Sequence, residues 1–396
     1  MKLEKNEEIV YEFSKISFTN KGINLSNNEK KRNSSFELLR IILMSLIVLH
    51  HIFINTDSLQ KLTINNYKKI ICCKYIILKI LSNYGQFGNN AFIMISGYFS
   101  INKTNFNKFK FLYIVFEIYT YYYPSLFFGK RLSNKYKNIR FLNYSNILIF
   151  FPILSNYGNW FIQIYLSLLL FIPFINIGLL NLNKQKYKNL LIIIIIFYCI
   201  FNSLTLFYDI NSIIFSTTPL IRLLLPYIIG GYIKLYDLNY KTFWTIIAFI
   251  YFPLSIISEI IFDKLALKFN NYNFIVFHLN FSISMNSILS ISGAIGLIYF
   301  FKNIKFYNKK INFIAVSVLG IYLIHGNKHI SPYIYNIWFE TNNINDSYFF
   351  IKYIFKAFLI ILLSILIDVI RRYTVGLFFE KLINIIIILF NKIFIN

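Results

Sequence analysis

The run Arg40-Ile-Ile-Leu-Met-Ser-Leu-Ile-Val-Leu-His50-His51 decides how this chain folds. Continued by Ile52, Phe53 and Ile54, it is long and apolar enough to cross a hydrocarbon core as a single helix of about 20 residues. Arg40 and His51 stand eleven positions apart. At about 100° per residue, the two side chains fall within roughly 20° of one helix face, about 16 Å apart along the axis. His50 points about 100° away from that stripe and reads as a packing or interfacial residue. Ionisable groups within a span are costly, so a pair that persists on one stripe marks a functional site. Taken singly, Arg40 is equally an anchor at the inner end of the span. His51 on the same face weakens that plain reading, and its near-neutral imidazole suits removal of a proton from an alcohol.

Composition points the same way. The chain has 396 residues, of which 57% are hydrophobic and 14% charged, with 44 Phe and 31 Tyr. That is more apolar surface than a soluble domain hides, so the chain is read as an all-α integral membrane protein. The net charge of +24 is spread over short loops between apolar runs, the pattern of a positive-inside signal. No separate basic domain stands ready for a polyanion, which argues against a nucleic-acid partner. Cys72, Cys73 and Cys199 have neither zinc spacing nor a disulfide framework. Residues 1–33 are polar and mixed in charge, read as a disordered cytosolic tail without a signal peptide.

A window of about 20 residues finds ten spans, near 36–56, 84–101, 108–128, 159–180, 189–208, 217–236, 241–262, 275–301, 311–330 and 349–370. The stretch 141–154 is ambiguous. Ten spans put the lysine-bearing loops 102–107, 181–188 and 302–310 on the cytosolic side, with both termini, while 209–216 and 331–348 lie outside without a Lys or Arg. The division is therefore a tail over 1–33, a membrane domain over 34–372 and an amphipathic, interfacial C-terminal helix over 373–396, with Lys74 and Lys79 snorkelling from a helix before the second span.

Three further segments carry polar groups at span depth. Gly88, Ala91 and Gly97 allow close helix approach, while Asn89 and Asn90 suit a polar cavity, because amides facing lipid would go unsatisfied. Trp160 fits an interfacial aromatic belt, and Gln163, further into the span, can reach a sugar hydroxyl. The segment Ser317-Val-Leu-Gly-Ile-Tyr-Leu-Ile-His325 leads outward to another histidine. His325 and His329 have a zinc-compatible spacing, but the glutamate and third ligand of a zinc helix are missing, so no metal is expected.

These motifs together resemble the acyltransferase-3 family, bacterial integral-membrane enzymes that O-acylate surface polysaccharides and related glycans. The resemblance rests on arginine and histidine eleven apart in the first span, Phe92 to Phe99 ending in Ile-Ser-Gly-Tyr-Phe, Trp160-Phe161 with Tyr165, Gly320 to His325, and Ile367-Asp-Val-Ile-Arg371. They occur in the family's order from about residue 33 to 372. The resemblance implies a ten-helix core, an acyl-CoA co-substrate (usually acetyl-CoA) entering from the cytosol with no resident cofactor, and Arg40 and His51 as the paired functional residues. Where the family often carries an arginine-rich element after the second span, this chain has Lys103, Lys108 and Lys110, point charges in place of bidentate forks.

The expected activity is O-acyl transfer, typically of acetyl, to a sugar hydroxyl of a surface polysaccharide or lipid-linked glycan at the cell membrane. His51 would be the general base. Arg40 would offer charge to donor phosphates or an oxyanion, with Lys108 and Lys110 beside it, and His325 would orient the acceptor or assist proton transfer. Asn90, Trp160, Gln163 and Tyr165 are the expected acceptor contacts. The rival readings are a polysaccharide or small-molecule transporter using the same cavity without acyl chemistry, and a membrane domain that positions a partner enzyme.

Overall fold

The computed structural model describes residues 33–55, 73–135, 153, 160–201, 219–238, 241–271, 274, 279–335 and 348–394, and every regular element among them is helical. Most of the expected N-terminal tail, the segment 57–72 and the stretch 141–154 apart from Ile153 lie outside the described residues.

The opening run forms α1, Ser34–Asn55. Its start is fixed by polar caps: the Asn33 carboxamide accepts from the Ser35 N–H at 3.1 Å. Ser34 accepts from the Asn308 N–H at 2.8 Å, and Asn308 in turn caps α9, Lys309–Ala315. The first turns of two helices distant in sequence are thus pinned to one another. Between them come α2 (Cys73–Ser100), α3 (Lys108–Lys135), α4 (Trp160–Leu180), α5 (Lys184–Ile195, continued by a π-turn), α6 (Pro219–Leu235), α7 (Lys241–Phe269) and α8 (Ile288–Asn303). After α9 follow α10 (Val318–His325), the single turn α11 (Ser331–Tyr333), α12 (Phe349–Arg371), a π-turn over Arg372–Gly376 and α13 (Leu377–Phe394).

Among the described residues, five segments are long and apolar enough to cross a membrane by themselves: Ser34–Ile52, Trp160–Leu180, Lys241–Phe269, Phe281–Asn303 and Phe350–Ile393. Each overlaps one of the ten expected spans, and Phe350–Ile393 runs on past the expected 349–370 through the region read as an interfacial helix. The others fall short for physical reasons. α3 carries Lys108, Lys110 and Glu117, α6 has only 17 residues, and the expected span 311–330 breaks around Ser317 into α9 and α10. Such elements fit a membrane only where neighbouring helices satisfy their polar groups.

Packing answers that need. α2 and α6 cross with backbones in contact, because a methyl on Gly97 would collide with the Tyr227 carbonyl and one on Gly230 with the Met94 carbonyl. One apolar cluster joins α1, α3, α4, α10 and α12 through Ile47, Ile118, Leu166, Tyr322 and Ile360. A second joins α2, α5, α6 and α8 through Phe87, Met94, Leu225 and Tyr299. The outward faces of α4, α7 and α12 instead expose Phe174, Phe249 and Phe358, as helices facing lipid do. The expected boundary at 372 falls in the π-turn, and helix runs without interruption from Phe350 to Ile393. α13 lies along the start of α3, where Phe379 stacks on Phe116 at 4.9 Å and Asn391 accepts from Lys108 at 3.0 Å.

Candidate functional site

α1 and α10 bring together two histidines that are 274 positions apart in the chain, with His51 Nδ1 lying 2.9 Å from His325 Nε2. His325 is completely buried and His51 half-buried. The hydrogen-bond pattern fixes the tautomers. His325 Nδ1 lies 2.5 Å from the Ile321 carbonyl, which can only accept, so that nitrogen carries the proton. A neutral His325 then has a lone pair on Nε2, which makes His51 Nδ1 the donor across the pair. The Nε2 of His51 is left unprotonated, as a general base requires. His50 packs on Gly85, where a Cβ would come within 2.4 Å of its ring, and its own ring lies 5.7 Å from that of His51.

An aromatic wall leads away from the pair. The Tyr322 ring sits 6.2 Å from that of His51 and 5.7 Å from Phe161, and Phe161 is parallel to Tyr165 with centroids 6.3 Å apart. At Tyr165 the wall meets positive charge. Lys110 donates to the Tyr165 hydroxyl at 3.1 Å, Ser96 also hydrogen-bonds that hydroxyl, and Arg40 lies close enough to interact with it electrostatically. Lys110 is held at the first turn of α3 by the Asn107 side chain, which accepts from its backbone N–H at 2.8 Å. Arg40 is partly neutralised by Glu37 at 3.1 Å and keeps 28% of its side chain exposed. The site is therefore an elongated intramembrane wall with a base at one end and two cations at the other.

Of the residues read from sequence, Arg40, His51, His325, Lys110 and Tyr165 converge here. Tyr165 stands at the cationic end and not beside the histidines. Lys108 turns to α13, with its ammonium 4.3 Å from the Phe390 ring centroid. Asn90 faces the other way, donating to the Met285 carbonyl and to Ser290, both at 3.0 Å. Trp160 is exposed and meets Phe161 edge-on, and Gln163 lies one turn before Ser167, which donates to its carbonyl. His329 packs edge-on against Tyr122 at 5.3 Å. Phe161 and Tyr322 sit inside quoted motifs without having been singled out, and Ser96 gave no signal because a lone serine in a span is ordinary.

Below the histidines lies a buried ion network that sequence reading left undivided. Arg371 reaches Asp368 at 2.8 Å and Glu117 at 3.0 Å, Arg372 lies 3.1 Å from the other Asp368 oxygen, and Tyr121 donates to Asp368 at 2.6 Å. Successive residues of an α-helix diverge by about 100°, and the π-turn that starts at Arg372 lets both guanidinium groups face inward. Arg372 donates to Ser317, at the start of α10, at 3.0 Å, and a Cβ on Gly320 would lie 2.7 Å from the Asp368 carboxylate. The network thus grips the helix that carries His325. Glu117, the lone acid in the apolar part of α3, was the signal for it, since an intramembrane carboxylate demands a partner.

The turn after α6 holds Asp237 between Lys241 at 3.0 Å and Lys302 at 3.1 Å, with a hydrogen bond from Tyr299. Burial raises the Asp237 carboxyl, but the Tyr299 hydrogen bond and the two ammonium groups outweigh it and hold it at about 2.

The family model for an acyltransferase domain matches residues 33–369, which takes in every residue of the wall and all of the network but Arg371 and Arg372. No characterised relative and no solved structure shows detectable similarity to the chain.

Proposed function

The chain belongs to the acyltransferase-3 family, and from that premise we propose that it moves an acyl group, acetyl in the first instance, from acyl-CoA to a hydroxyl of a surface polysaccharide or lipid-linked glycan. The observation that carries the reading is the proton chain from His51 through His325 to the Ile321 carbonyl. His51 Nε2 takes the proton of the acceptor hydroxyl as its oxygen bonds to the thioester carbonyl carbon. The C–S bond then breaks, and the proton passes from His51 to the departing CoA sulfur. During the step the imidazolium of His51 donates through Nδ1 to His325, whose lone pair supports it. Arg40 and Lys110, about 16 Å down the axis of α1 from His51, suit the donor's phosphates, so one extended donor reaches from the cations to the base.

In this reading the domain is inserted in the cell membrane with ten spans and both termini cytosolic. The donor enters from the cytosolic side and the acceptor from the outer half. Membrane preparations supplied with acetyl-CoA labelled in the acetyl group test it. Label is expected on the host's glycan and absent in the vector control. Export of unmodified glycan with no labelled product would overturn the transfer reading in favour of transport.

A further inference from the structure

One buried polar group beside the wall between the cations and the histidines has no hydrogen-bond partner among the described residues. Asn89 is only 7% exposed, and its Oδ1 has no hydrogen-bond partner among the described residues. Its neighbour Asn90 turns to α8, whereas Asn89 shares a face of α2 with Ile93, four positions on, and with Ser96, seven positions on. Ile93 packs in the cluster with Met44, Ile47, Leu166 and Tyr322, and Ser96 reaches Tyr165. Asn89 therefore looks onto the same wall. Its height follows from Gly88, where a Cβ would lie 3.3 Å from the Leu43 carbonyl and 3.2 Å from Ile47. Asn89 stands beside the Leu43 to Ile47 turn of α1, about 7 to 8 Å along the axis beyond Arg40 and about 9 Å short of His51.

Leaving a buried carboxamide unpaired is unfavourable, so its presence on this wall points to a group that arrives with the substrate. We propose that Asn89 is the recognition point for a secondary amide in the pantetheine arm of the acyl donor. The inference rests on the acyl-CoA reading above and deepens it. A secondary amide presents one N–H and one carbonyl, which a carboxamide meets with its acceptor and its donor. The arm is otherwise apolar enough for Met44, Ile47, Ile93 and Leu166. With phosphates at Arg40 and Lys110 and the thioester at His51, the arm is the part of the donor that must pass Asn89.

The experiment compares binding of CoA and of 3′-phospho-ADP, the nucleotide half without the arm, to purified wild type, Asn89→Leu and Asn89→Ala in detergent. For both variants the expected result is a roughly tenfold loss of CoA affinity, with 3′-phospho-ADP affinity unchanged. Asn89→Leu should melt no lower than wild type, since no protein partner is lost. Unchanged CoA affinity overturns the proposal. Equal weakening of both ligands also overturns it, because the residue would then be structural. Failure of wild type to bind either ligand would count against the donor reading itself, a result distinguishable from loss confined to the variants.

Discussion

The ion network on α3 and α12 and the histidine pair on α1 and α10 lie at the two ends of one short helix, α10, and they differ in whether their bonding closes. In the network two carboxylates face two guanidinium groups, with Tyr121 and Ser317 taking up further bonds. Each charge in it faces an opposite one, although the 3.1 Å contact between Arg372 Nε and the second Asp368 oxygen is an ion pair without hydrogen-bond geometry. The histidine pair spends one proton on a backbone carbonyl and one on the partner ring, then stops at a bare nitrogen. A closed cluster fixes helices at the cost of desolvation, whereas an open one keeps a valence for chemistry. α10 joins them, for Arg372 and Asp368 meet Ser317 and Gly320 at one end while His325 stands at the other.

The comparison breaks most visibly at the open end. His51→Ala should lower acyl transfer by about 10²- to 10⁴-fold, the usual yield of a positioned general base, without moving the melting temperature. His50→Ala should keep most of the activity, since that ring packs on Gly85. Radiolabel transfer together with thermal unfolding in detergent separates the two variants, and equal losses would refute the assignment of the base.

Asp368→Ala attacks the closed end and should behave oppositely. It strips both arginines of a shared partner inside the bundle and should cost about 3–5 kcal/mol of stability. Activity should fall in step with unfolding, measured as the midpoint of denaturation in a fixed detergent. A stable protein with a selectively lost rate would mean that the network takes part in the chemistry.

The smallest effect is expected at Asp237, an ion cluster exposed to solvent. Its carboxyl is held at about 2 in the fold against an ordinary value of 3.8. The stabilisation is therefore fully present above about pH 4 and is lost as pH falls from there through about 2. Screening should keep it within about 1 kcal/mol. Melting curves between pH 5 and pH 2 should show a shallower acid slope for Asp237→Asn than for wild type. An identical slope would remove the cluster's role.

What the chain's order of residues determined alone is local. Apolar length gave the helical membrane class, and the 3.6-residue period placed Arg40 and His51 on one stripe while turning His50 aside, because both follow from a single helix's geometry. The family resemblance, too, was legible in motifs that keep their order. The tertiary structure decided everything that passes between helices. It paired His51 with His325 and so chose which imidazole nitrogen stays bare. It drew Lys110 to Tyr165 and sent Lys108 to α13, set Asn89 toward the wall and Asn90 toward α8, and used a π-turn to aim Arg371 and Arg372 inward together. The reason is that a helical period fixes directions only within its own helix, while the facing partner is set by packing among segments far apart in sequence.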